Sequence, residues 1–267
     1  MKRRYFCAMQ EFISYKNIQI AFTAEGKGKT IVLLHGFLES SSIWKHLTLE
    51  LKKTHRVVTI DLLGHGNTEK LGYIHSMETM AEVVHAVLFH LKIKKFSLIG
   101  HSMGGYVALA FAEKFPQQLE KLILLNSSPV ADSEERKQNR DRAKRLVKQN
   151  KKAFISMAIK NLFTDENRNA LRPKINTLVE EATQIPEENI IAAIEGLKNR
   201  KDRTKVLQQY KGEKVIISGK NDPVVPFQEI KEIAEQAHSN FIAFEDGHMS
   251  YLENREELGE KLITLFS

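Results

Sequence analysis

Cysteine is almost missing from this chain: Cys7 is the only one in 267 residues. A single thiol excludes an internal disulfide framework and suits a reducing compartment. Long apolar runs are missing as well. No stretch reaches the roughly 18 uninterrupted apolar residues of a membrane-spanning helix. The basic start, Met1 to Met9, lacks the run of about seven or more apolar residues that a secretory signal needs. Residues 1–10 are therefore expected to be an extension of the folded chain, with Met9 as an alternative start of translation, and a cytoplasmic location is expected. Internal repeats and low-complexity tracts are absent. Aromatic residues are few where positive charge is concentrated. Between Ala131 and Gly212 there are 19 Lys and Arg against 12 Asp and Glu, with only Phe154, Phe163 and Tyr210 among them. So many acids and so few stacking faces exclude nucleic acid as the expected partner. The rest of the chain holds 21 residues of each sign, so the whole net charge of +7 belongs to this one segment.

What is present is an apolar fraction of 42%, ordinary for a globular protein, in a chain long enough for one large α/β domain with an inserted subdomain. Residues 11–15 and 18–22 alternate apolar and polar on either side of Lys16-Asn17 and predict an antiparallel hairpin. Continuous apolar runs predict buried strands at 30–34, 56–60, 96–99 and 121–125. Helical periodicity predicts helices over 40–53, 76–91 and 107–115 between them. That alternation means a mostly parallel sheet covered by helices on both faces. Residues 131–211 change texture. They are rich in Lys, Arg, Glu and Ala and contain no convincing strand. Helical stretches stand out at 134–148, 152–163 and 189–198, punctuated by Pro173 and Pro186, so this segment is expected to be an inserted helical subdomain. The strand pattern resumes at 214–218 and 240–244, with helices over about 227–237 and 254–266. Residues 11–130 and 212–267 thus form the expected core.

The sequence is organised around Gly100-His101-Ser102-Met103-Gly104-Gly105, a Gly-x-Ser-x-Gly turn between a strand and a helix. Such a turn holds its serine in a strained conformation and lifts the hydroxyl to a helix N-terminus, where developing negative charge is favoured. Serine is a poor nucleophile at neutral pH. A histidine must take its proton, and a carboxylate must fix that histidine's tautomer. Asp222 and His248 lie in loops that follow successive strands and complete the order Ser…Asp…His. Asp246 is too close to His248 in sequence to reach its ring comfortably. Asp61 is expected to tie its own loop together, His35 to brace the loop after the 30–34 strand, and His101 to pack beside the serine without acting as the base. A tetrahedral intermediate needs two N–H donors, for which the amides of Met103 and Phe37 are the candidates. Trp44 is expected to be a packing residue.

Taken together, His35-Gly36-Phe37, the run from Asp61 to Gly66, the Ser102 turn, Gly219-Lys220-Asn221-Asp222-Pro223 and Asp246-Gly247-His248 resemble the α/β-hydrolase superfamily. More narrowly, they resemble its lid-bearing group of small carboxylesterases, enol-lactonases and carbon–carbon bond hydrolases. The resemblance implies an eight-stranded sheet, a Ser102–His248–Asp222 triad needing no cofactor or metal, and a pocket between the core and a lid at 131–211. The expected activity is hydrolysis of a small ester, lactone or thioester through an acyl-enzyme. Two other readings stand beside it. One is a triad-bearing lyase or carbon–carbon bond hydrolase acting on an acidic metabolite, like the menaquinone-pathway lyase. The other is a ligand-binding receptor that retains the triad.

Overall fold

The computed structural model describes residues 9–267, so most of the expected extension at 1–10, and Cys7 with it, lies outside the described residues. Strands β1 (Glu11–Tyr15), β2 (Ile18–Glu25), β3 (Thr30–Leu34), β4 (Arg56–Ile60), β5 (Phe96–His101), β6 (Leu119–Leu125), β7 (Glu213–Gly219) and β8 (Asn240–Phe244) form one sheet in the order β1-β2-β4-β3-β5-β6-β7-β8. The pairs β1·β2 and β2·β4 are antiparallel, and every pair from β4 to β8 is parallel. The sheet is therefore mixed, with its antiparallel part confined to the first two strands. β2 runs three residues past the alternating pattern because Thr23, Ala24 and Glu25 pair with Thr59, Val58 and Val57.

The helices are α1 (Lys45–Leu51), α2 (Met77–His90), α3 (Met103–Lys114), α4 (Glu134–Lys160), α5 (Asp165–Ala170), α6 (Arg172–Thr183), α7 (Glu187–Lys198), α8 (Thr204–Gln209), α9 (Phe227–Gln236), α10 (Ser250–Glu253) and α11 (Arg255–Phe266). Successive residues of a strand point to opposite faces, and β3 shows what that does here. Val32 and Leu34 pack with Val84, Val107 and Ile230 of α2, α3 and α9. Ile31 and Leu33 pack with Leu51 and Leu262 of α1 and α11. The sheet is thus covered on both sides. The helix expected over 40–53 is divided: Ser40 caps a 3-10 turn at Ser41–Trp44, and α1 follows. Trp44 is buried and packs against Tyr251.

Between β6 and β7 the regular structure consists of helices α4 to α8. α4 is kinked at Asn150 (φ −157°, ψ 85°), whose side chain accepts from the Ala153 amide and so caps a new helical start. Pro173 lies in the first turn of α6 and Pro186 caps α7, so both prolines begin helices. The apolar side of this segment, including Val147, Ile155, Ile159 and Ile194, joins the α1/α11 side of the core. Among the described residues, no helix is long and apolar enough to cross a membrane.

Candidate active site

The strand order reverses direction at β3 and β5: β4 lies outside β3, whereas β6 lies outside β5. A parallel sheet opens a crevice beyond the carboxyl ends of its strands at such a point. Leu34 and Gly100 are register partners there, so the loop after β3 and the turn after β5 emerge side by side. That turn holds Ser102 at φ 50° and ψ −114°, a conformation rare for any residue with a Cβ. Its two flanking glycines make the turn possible. A Cβ on Gly100 would collide with the carbonyl of Gly104, and one on Gly104 with the carbonyl of Leu34.

His248 Nε2 lies 2.9 Å from Ser102 Oγ, and His248 Nδ1 lies 2.8 Å from Asp222 Oδ2. Ser102, His248 and Asp222 therefore stand in one hydrogen-bonded line, although they come from three separate loops. The Asp222 carboxylate also accepts the amides of Val224 and Val225 and the side-chain N–H of Asn126. Burial alone would raise its pKa. The His248 ring and the backbone donors outweigh that and hold it below the usual carboxylate range. Asn126, at φ 47°, also donates to the Gly247 carbonyl and so joins the loop of Asp222 to the loop of His248. In the sequence, Asn126 did not stand out because it carries an amide where a carboxylate was expected. A polar residue at the end of a buried strand, between two loops of interest, was the available signal.

Phe37 and Met103 line the same cavity as Ser102 and His248, and each carries a backbone amide. Neither of these two amides donates a hydrogen bond to an acceptor among the described residues. Leu38, next to Phe37, has φ 63°, so this loop too holds a non-glycine residue in the left-handed region. His35 braces it: Nδ1 donates to the Gly36 carbonyl, and Nε2 accepts from the Leu62 amide after β4. Burial pushes the His35 pKa down, in keeping with a neutral ring that donates through one nitrogen and accepts through the other. Asp61 accepts from Ser41, Asn67 and Gln10, which ties its own loop together and brings Gln10, placed in the extension by the sequence, onto the folded domain. Asp246 accepts from Asn167 and Asn254, not from the His248 ring.

Glu39 is the acidic residue that the sequence did not single out. It is buried, accepts from the Gly36 amide, the Tyr251 hydroxyl and His101 Nδ1, and so connects the loop after β3 to the serine turn and to α10. His101 Nε2 donates to the His248 carbonyl at 3.1 Å. Both ring nitrogens of His101 thus face acceptors, which suits a charged imidazolium. Burial would lower the pKa of His101, but Glu39 overcomes this and raises it; the same pairing lowers that of Glu39 against its own burial.

The cavity over Ser102 has a volume of about 370 Å³ and is closed on one side by Phe154, Ala158 and Leu162. A larger cavity of about 860 Å³ lies beyond the Leu38–Glu39 segment, lined by Ser41, Lys45, Asp61 and Glu181, and reaches neither Ser102 nor His248. The chemistry-bearing groups meet in the smaller one. Among the described residues, no three His, Cys, Asp or Glu side chains converge as a metal site.

The fold has known counterparts. A thermophilic esterase from Thermogutta terrifontis, solved with malate bound, is similar over 97% of this chain and 98% of its own, at 29% identity and a TM-score of 0.91. The enol-lactonase from Burkholderia xenovorans LB400 shares the fold over 96% of this chain and 99% of its own, at 19% identity and a TM-score of 0.89. An uncharacterized protein of Mycobacterium tuberculosis is 34% identical over 120 residues, which cover 45% of this chain; the match spans about a third (35%) of that curated relative's length. The family model described as the alpha/beta hydrolase fold matches residues 29–255, and the chain belongs to that family.

Proposed function

We propose that the protein is a serine hydrolase that cleaves a small ester, lactone or thioester by way of an acyl-enzyme. One observation carries the reading: the line Ser102–His248–Asp222 opens into a cavity also lined by Phe37 and Met103, whose amides have no acceptor among the described residues. The Ser102 hydroxyl gives its proton to His248 Nε2 as Oγ attacks the substrate carbonyl. Asp222, ionised at neutral pH, accepts from Nδ1–H and stabilises the imidazolium that results. The carbonyl oxygen becomes an oxyanion and accepts from the Phe37 and Met103 N–H groups. Backbone donors held by the fold need little rearrangement as charge develops. His248 then protonates the leaving oxygen or sulfur. Water, deprotonated by the same nitrogen, attacks the acyl-serine and releases the acid. Segment 131–211 acts as a lid in this scheme, because α4 supplies much of the cavity wall.

The esterase from Thermogutta terrifontis, similar over nearly the whole chain, supports ester hydrolysis as the reaction class. A fluorophosphonate probe should label Ser102, located by mass spectrometry of the digested protein, and p-nitrophenyl esters of short acids should be hydrolysed by the wild type but not by Ser102→Ala. Labelling of a different serine, or folded protein with no turnover of any ester, would remove this reading.

A further inference from the structure

The cavity over Ser102 has a wall that the hydrolytic scheme leaves unused. Arg136, Asn139, Arg140 and Ala143 fall at helical spacing on α4, and all four line the cavity into which Ser102 and His248 open. Every carboxylate near this wall is already engaged. Asp222 holds His248, and Glu39 holds His101. Asp132, buried behind the wall, is shared by two guanidinium groups: one oxygen lies 3.0 Å from Arg140 Nε and the other 2.6 Å from Arg200 Nη1.

Arg136 is different. Among the described residues it has no acidic partner, and its guanidinium makes one hydrogen bond, from Nη2 to the Val224 carbonyl at 2.9 Å. Most of its five N–H donors remain uncommitted. It is half-buried in a pocket shared with Leu162, Leu197 and Phe154. A charge partly withdrawn from water is stabilised by a counter-ion, and a guanidinium matches a carboxylate bidentately. By contrast Arg142, Arg145 and Lys148 on the same helix are exposed. The basic residues of the helical segment thus include exposed ones, ones paired with carboxylates, as Arg140 and Arg200 are with Asp132, and Arg136, which lines the cavity with no acidic partner among the described residues.

We infer that the substrate carries a carboxylate, which Arg136 receives, with Arg140 and the Asn139 amide beside it, while its ester or lactone carbonyl lies at Ser102. This deepens the hydrolase reading and rests on it. The alternative role for Arg136 is a strap that holds the Asp222 loop through Val224, since the Val224 amide donates to Asp222. The two roles make different demands on the substrate: a strap affects every ester alike, whereas an anion receptor affects only the charged one.

The experiment compares kcat/KM for mono-p-nitrophenyl glutarate with that for p-nitrophenyl pentanoate, which has an acyl chain of the same length without the carboxylate. The wild type should favour the glutarate ester by about tenfold or more, the range of a charge-assisted hydrogen bond. Arg136→Met should lower this ratio by about tenfold, Arg136→Lys should retain part of it, and Arg145→Met should leave it within about a factor of two. A wild-type ratio at or below unity overturns the inference, as does an Arg136→Met variant that slows both esters equally. Calorimetric binding of glutarate to Ser102→Ala and to Ser102→Ala/Arg136→Met gives a readout independent of turnover. Failure of hydrolysis with Arg136-dependent binding would count against the hydrolase reading alone. Equal binding to both proteins would count against the role of Arg136.

Discussion

Two buried histidine–carboxylate pairs flank Ser102, and they are chemically almost the same. His248 pairs with Asp222 and His101 with Glu39, at 2.8 and 3.0 Å, with the two imidazole rings 5.3 Å apart. What differs is the partner of the far nitrogen. His248 Nε2 meets a hydroxyl at the edge of a cavity, whereas His101 Nε2 meets a backbone carbonyl. A hydroxyl can exchange roles as donor and acceptor, so the first pair can move a proton. A carbonyl only accepts, so the second pair is fixed as a charged clamp between the loop after β3, the serine turn and α10. The lesson is that burial and a carboxylate do not make a histidine a base; the group opposite its second nitrogen does.

The largest effects should come from the first pair. His248→Ala should reduce kcat by on the order of 10⁶, as loss of a triad histidine does in serine hydrolases. Asp222→Asn should cost on the order of 10⁴, because the amide favours the wrong tautomer. Both variants should keep the wild-type far-ultraviolet circular dichroism. Near-normal turnover in Asp222→Asn would mean that another carboxylate orients His248.

For the second pair, Glu39→Gln should lose at most on the order of 10² in kcat through misplacement of the Phe37 amide. It should lose stability more clearly. Removing one partner of a buried ion pair costs about 3 kcal/mol, or a fall in Tm on the order of 10 °C for a chain of this size. A Glu39→Gln protein that melts like the wild type but has lost all activity would make Glu39 part of the chemistry rather than the frame.

The same pair sets a pH dependence. The pKa of His101 is raised in the folded protein, so its contribution is fully present below the ordinary histidine value of about 6.5 and is lost as pH rises through the raised value. The pKa of Glu39 is lowered, so its contribution is present above the ordinary glutamate value and is lost as pH falls through the lowered one. The difference in Tm between wild type and Glu39→Gln should therefore be largest between about pH 5 and 6.5 and shrink toward alkaline pH. Thermal melts across that range check the sign. A gap that widens with pH would mean that His101 is neutral.

The smallest expected effect concerns the hydroxyl that makes the two pairs different. At φ 50°, Ser102 bears a Cβ where glycine is at ease. Ser102→Gly should be more stable than Ser102→Ala by about 1 kcal/mol, a few degrees in Tm, despite the usual entropic cost of glycine. The reverse order would show that the turn is unstrained.

Much of this molecule could be read locally. β3 and β4 were legible to the residue, because continuous apolar runs leave little choice about where a strand buried on both faces begins and ends; β8, a partly exposed edge strand, was legible from its apolar residues as well. The serine turn was legible because its Gly-x-Ser-x-Gly pattern lies between a strand and a helix and the clash at Gly100 is with nearby Gly104, whereas the clash at Gly104, with the Leu34 carbonyl, belongs to the fold. Asp222 and His248 could be proposed because each follows a strand of a parallel sheet. The helical insertion was only partly legible: amphipathic periodicity marked three stretches, but α5, α6 and α8 were not singled out, and the kink at Asn150 emerged from its capping hydrogen bond.

The sequence alone determined the strand and helix alternation, the elbow around Ser102 and the chain order of serine, aspartate and histidine, because each depends on steric or hydrophobic patterns within a few residues. Only the tertiary structure decided that Glu39 holds His101, that Asn126 joins the Asp222 and His248 loops, and that Arg136 faces the cavity while Arg145 faces solvent. The role of an ionisable group depends on what its polar atoms meet and on how much water is left around it, and both are set by residues far away in the chain.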